Sequence, residues 1–94
     1  MIKILKEMDK ITIKGHANYS ESNDIVCASV SSIMYTTVNA ILNIDDKAIT
    51  FTDNGNECVI QINNHDETID KLIDNMILMF KELSEQYPSN VEIK

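Results

Sequence analysis

The hydrophobic pattern twice passes from a period of two to a period of three to four along the chain, and this most constrains what the chain can fold into. Ile2, Ile4 and Lys6 alternate with Lys3, Leu5 and Glu7; after Asp9-Lys10, Ile11, Ile13 and Gly15 alternate with Thr12, Lys14 and His16. A period of two belongs to a strand with two unlike faces. These segments therefore read as a hairpin whose second strand ends near Gly15-His16. Residues 17–23 are polar and patternless, which predicts a loop. From about Ile25 to Asn43 the period lengthens: Val26, Val30, Ile33, Thr37, Val38 and Ile41 recur at three- and four-residue spacing. That spacing predicts a helix, capped by Asp24 or Asn23. Its many β-branched residues have modest helix propensity, so packing must hold it.

The cycle then repeats. Ala48 to Asp53 reads as a strand with Ile49 and Phe51 on one face. Asp53-Asn54-Gly55-Asn56 contains Asn-Gly, a strong hairpin signal. Glu57 to Asn63 reads as its partner, with Cys58, Ile60 and Ile62 on one face. After the turn Asn64-His65-Asp66, the stripe Ile69, Leu72, Ile73, Met76, Phe80, Leu83 and Tyr87 predicts a second helix, stopped by Pro88. Ile77, Leu78 and Met79 widen its apolar surface, as extra core or as a contact for a second subunit. Val91 to Lys94 offers a short last strand. The expected class is α+β: two β-hairpins, each followed by a helix, in a four- or five-stranded, mostly antiparallel sheet with both helices on one face.

The 94 residues are expected to form one domain, 1–94. Fifteen acidic against eight basic residues leave a formal charge of −7. Nucleic acid is thus an unexpected partner, because phosphate binding needs clustered Lys and Arg. A basic protein or peptide suits an acidic surface better. The apolar runs look too short for a membrane span, and the N-terminus lacks an apolar signal core. The expected compartment is the cytoplasm, where the two Cys stay reduced. Neither has a second Cys or a His at zinc-finger spacing, so no metal or other cofactor is expected.

Cys27 is the most informative residue. It falls in the first turn of the first helix, where unpaired N–H groups favour negative charge on sulfur or on an oxyanion. A single Cys is also a small hydrophobe that packs well in a core. His16, at a strand end beside Gly15, is placed to reach the helix start across the loop and take the Cys27 proton. An exposed strand-end His is the plain alternative. Asp24 serves either as the helix cap or as the group that orients His16. Ser31 lies one turn after Cys27 on the same helix face, near the site or simply as a helix serine. Gly15 permits close backbone approach. In the loop, Tyr19 is its main apolar anchor and a candidate to close over substrate. Cys58 reads as core, and His65 as a cap or surface residue.

Gly15-His16-Ala17, a short polar loop, then Asp24-Ile25-Val26-Cys27-Ala28 and Ser29-Val30-Ser31 together resemble the signature of the ribosomal-processing cysteine protease (Prp) family. The resemblance extends more loosely over the element order, the Asp-Asn-Gly hairpin and the acidic second helix ending in Glu-Gln-Tyr. It implies a homodimeric endopeptidase. Such an enzyme removes an N-terminal extension from a basic large-subunit ribosomal protein, cutting after aromatic residues. Carried over, Cys27 is the nucleophile and His16 the base, with Asp24 and Ser31 near the active site. The loop from His16 to Cys27 is one residue shorter than the family pattern. Ser22 stands where the family usually has Gly, which places Ser22 in a substrate loop of altered path. Two other classes stay open: a non-catalytic module binding a basic protein during ribosome assembly, and a thiol redox protein. The second is disfavoured by the absence of Cys-x-x-Cys.

Overall fold

A computed structural model describes residues 1–16, 20 and 24–94. The first alternating segments form β1 (Ile2–Lys6) and β2 (Lys10–Lys14). β2 stops one residue early because Gly15 turns the chain out of the sheet, at a φ of 91°. The helical stripes become α1 (Ile25–Ile44) and α2 (Glu67–Gln86), with β3 (Ile49–Asp53) and β4 (Glu57–Ile62) between them and β5 (Val91–Ile93) last. Asp24 caps α1 and Asp66 caps α2, the first carboxylate accepting two first-turn N–H groups and the second one. The second hairpin turns one residue later than the Asn-Gly pair suggests. Asn54 N–H donates to the Glu57 carbonyl at 3.1 Å. Gly55-Asn56 is thus the tight loop, with Gly55 at a φ of 94°.

The sheet has five strands in the order β3-β4-β2-β1-β5. β1–β2, β2–β4 and β3–β4 are antiparallel, and β5 adds to β1 in parallel. Register aligns Ile4 with Ile13 and Ile93, Ile11 with Ile60, and Ile60 with Phe51. These side chains share one face, and α1 and α2, which pack on each other, cover it. The expected α+β arrangement is therefore what forms, with the fifth strand present. Ile4, Ile11, Ile60, Ile69, Met76 and Phe80 are fully buried between sheet and helices.

α1 buries Val26, Val30, Met34, Thr37, Val38 and Ile41, so Met34 takes the central place expected of Ile33. α1 carries no charged residue, and by length and composition it is apolar enough to cross a membrane. The sequence expectation that no segment reaches that threshold is corrected here. Broken by Ser, Thr and Asn, the segment does not look like a continuous apolar run, yet its mean hydropathy is 1.6. In this fold its apolar stripe faces the sheet and α2. On α2, Ile77 belongs to the core, while Leu78 and Met79 are exposed.

Candidate active site

At one end of the sheet, β2 ends, α1 begins and the β3–β4 hairpin turns back. These three features enclose a cavity of about 170 Å³. Gly15 makes the enclosure tight. A Cβ there would sit 2.5 Å from the Met1 carbonyl oxygen, and the positive φ already disfavours a side chain. The close approach expected of Gly15 is thus made to the start of β1. Its N–H donates to the Asn56 carbonyl at 3.2 Å, tying the end of β2 to the second hairpin. His16 follows immediately and lines the cavity.

Cys27 enters from the other side. It is half-buried in the first turn of α1 and lines the same cavity as His16. The Asp24 carboxylate accepts the N–H groups of Val26 and Cys27, each at 3.0 Å, and so performs the capping role. The Ala28 N–H donates to the Asp24 carbonyl at 3.1 Å. This corrects one expectation. The first-turn N–H groups of residues 26 to 28 are committed to Asp24 and do not stand ready for an oxyanion. Ser31 lies one turn on and also lines the cavity. Tyr19 and Ser22, assigned to a substrate loop, lie outside the described residues.

The rest of the cavity wall carries residues that the sequence reading passed over. Tyr35 follows Ser31 by one further turn, so Cys27, Ser31 and Tyr35 share a helix face. The Tyr35 hydroxyl donates to Asp53 Oδ2 at 2.7 Å, and its ring meets Phe51 edge-on at 5.6 Å. Asp53 Oδ1 accepts the Gly55 N–H at 2.8 Å. Cys58, expected only as core, is half-buried beside the core and also lines the cavity. Burial, reinforced by the Asp53 charge and hydrogen bond, raises its thiol pKa above the ordinary value. The i, i+4, i+8 spacing from Cys27 was the available signal for Tyr35.

His65 sits at the far end of the sheet, where it bridges Asp9 at 2.6 Å and Asp70 at 2.8 Å. The helix cap there is Asp66, whose carboxylate accepts the Ile69 N–H. A pairing of His65 with Cys58 is therefore excluded by the sheet's length. A second, open concavity of about 670 Å³ adjoins the cavity at Gly15 and Asn56. It presents Lys3, Lys14 and Glu57 but neither Cys27 nor His16, so its greater volume does not mark the chemistry. Among the described residues, no cluster of His, Cys, Asp or Glu is arranged to hold a metal ion.

A thiol and an imidazole in one cavity, on an open α+β sheet, suit thiol-dependent hydrolysis. Residues 1–92 match the family described as cysteine protease Prp, which makes the chain a cysteine protease. The chain belongs to the Prp family. It is 26% identical over 87 residues to the ribosomal processing cysteine protease Prp of Staphylococcus aureus, covering 88% of this chain and 82% of that protein. Two crystal structures of S. aureus Prp share its fold. One, in complex with a covalently linked product peptide, superposes with a TM-score of 0.85 at 23% identity, covering 99% of this chain and 95% of that one. The other, with a substrate peptide, gives 0.81 at 21% identity and the same coverage.

Proposed function

We propose that the chain is an endopeptidase that removes an N-terminal extension from a basic large-subunit ribosomal protein, using Cys27 as nucleophile and His16 as general base. The observation that carries this reading is the convergence of Cys27 and His16 on one cavity in a chain of the Prp family. The names of the S. aureus relatives, a ribosomal processing protease solved with substrate and product peptides, support the substrate class. The chain's charge of −7 suits a basic partner.

In this mechanism the His16 imidazole accepts the Cys27 thiol proton as sulfur attacks the scissile carbonyl carbon. The carbonyl electrons move to oxygen, giving a tetrahedral oxyanion. As they return, the C–N bond breaks and the imidazolium protonates the departing amine. The thioester that remains is cleaved by water, whose proton passes to His16 before the thiol is restored. Asp24 fixes the first turn that carries the sulfur. Ser31 offers a hydroxyl donor in the same cavity, a role the committed N–H groups of the first turn leave open. The enzyme is assigned to the cytoplasm, where both Cys remain thiols. A homodimer is assigned too, with the exposed Leu78 and Met79 of α2 at its interface; sedimentation of the wild type would contradict it by giving a monomer mass at all concentrations.

Cleavage of a peptide spanning such an extension, followed by mass spectrometry, tests the assignment. Cys27→Ser is expected to yield no product and to keep its fold, while Cys58→Ser cleaves at close to the wild-type rate. Wild-type product from Cys27→Ser would overturn the nucleophile assignment.

A further inference from the structure

Asp53 breaks the pattern of its own strand. Register places it beside Cys58, which in turn lies beside Ile13, and that row continues through Ile4 to Ile93. Asp53 is therefore on the helix-covered face of the sheet, in line with Ile49 and Phe51, where an apolar residue is the ordinary choice. It lies exposed at the end of β3, where it lines the cavity. A charge in such a place is a departure from local consistency, and departures of that kind concentrate at functional sites.

The carboxylate is also held still. Tyr35 reaches across from α1 to one oxygen and the Gly55 N–H fixes the other, at 2.7 and 2.8 Å. The Tyr35 hydrogen bond, with that from Gly55, keeps the Asp53 carboxyl below the usual carboxylate range, so it is anionic at neutral pH. Among the described residues lining the cavity there is no Lys or Arg to neutralise it. Lys3 and Lys14 lie in the adjoining concavity instead. The Cys58 thiol also donates to this carboxylate, whose two oxygens offer about four acceptor sites, so room for a further donor remains.

We infer that Asp53, aimed by Tyr35, is a specificity residue that selects a peptide with a Lys or Arg side chain close to the scissile bond. This inference rests on the peptidase reading above. A cationic side chain entering the cavity would meet a carboxylate already fixed in place and make a charge-assisted hydrogen bond. A glutamate at the same position would meet like charge at short range. Holding the acceptor in place beforehand lowers the ordering cost of forming that contact.

The test separates recognition from cleavage by measuring binding to Cys27→Ser. Fluorescent decapeptides containing an aromatic pair carry Lys, Gln or Glu at each neighbouring position in turn, and affinity is read by anisotropy at low and moderate salt. At one position the Lys peptide is expected to bind at least about tenfold more tightly than the Glu peptide, the scale of one hydrogen bond to a charged group. Adding Asp53→Asn, which keeps the shape and an acceptor for Gly55, should abolish that preference. Adding Tyr35→Phe, which keeps a ring against Phe51, should shrink it. A parent protein with no Lys preference at any position, or a preference that survives unchanged in both variants, would overturn the inference. Cleavage of the same peptides by the wild type is scored separately. A charge preference in binding without cleavage would sink the peptidase reading and leave the Asp53 site standing.

Discussion

Gly15 carries two jobs that no other residue can combine. Its φ of 91° lies in the region that favours glycine, and a Cβ would press on the Met1 carbonyl at 2.5 Å. Gly15→Ala is expected to destabilise the fold by about 1–3 kcal/mol, from strain plus displacement of the start of β1. Its effect on cleavage should be larger than its stability loss implies, because His16 is the next residue and moves with it. Thermal unfolding and steady-state kinetics on the same sample check this; an unchanged melting temperature with full activity would contradict it. At this scale much of the site was legible. Gly15, His16, Asp24, Cys27 and Ser31 follow from residue type and spacing; four of them, Gly15, His16, Cys27 and Ser31, line the cavity, and Asp24 caps the helix start. The use made of the first-turn N–H groups was not legible. A single capping carboxylate can take one N–H or two, and only the geometry shows that Asp24 takes both Val26 and Cys27.

Elements are joined at the other end of the sheet by His65, which links the β1–β2 turn through Asp9 to α2 through Asp70. The hydrogen bond to Asp70, then that to Asp9, raises its pKa above the ordinary imidazole value, outweighing a small opposing effect of desolvation. Because the folded value is the higher one, the stabilisation is full below the unfolded imidazole value, near 6.5, and is lost as pH rises through the folded value. His65→Gln should therefore melt below wild type at about pH 5.5, with the gap closing by about pH 9. Parallel melting curves across that range would show that the bridge contributes no pH-dependent stability. The sequence could not reveal this link. Hairpin partners are read from short turns, so β1–β2 and β3–β4 were accessible, but the pairing of β2 with β4 involves residues some 45 positions apart, such as Ile13 and Cys58. That one pairing also sets Cys58 and Asp53 beside the end of β2, which is why both were missed as cavity residues.

Across the whole molecule, core and site have separate ends. The rows centred on Ile11, Ile60 and Phe80 form the packed interior, while the cavity lies where β2, α1 and the β3–β4 hairpin diverge. Residues at the site can thus be chosen for chemistry without removing the main apolar contacts. The family was legible because two short motifs, around His16 and Cys27, stand close together in the chain. The wider cavity was not, since it depends on strand order. The central claim is that Cys27 is the nucleophile and His16 activates it. The most direct measurement is to treat the protein with a peptide carrying an electrophilic carbonyl group after an aromatic residue, then map the adduct by mass spectrometry. Wild type should be modified at Cys27 and not at Cys58, whose thiol burial and Asp53 keep protonated; His16→Ala should react at least about 100-fold more slowly. Equal modification of both cysteines, or a rate unaffected by His16→Ala, would contradict the account.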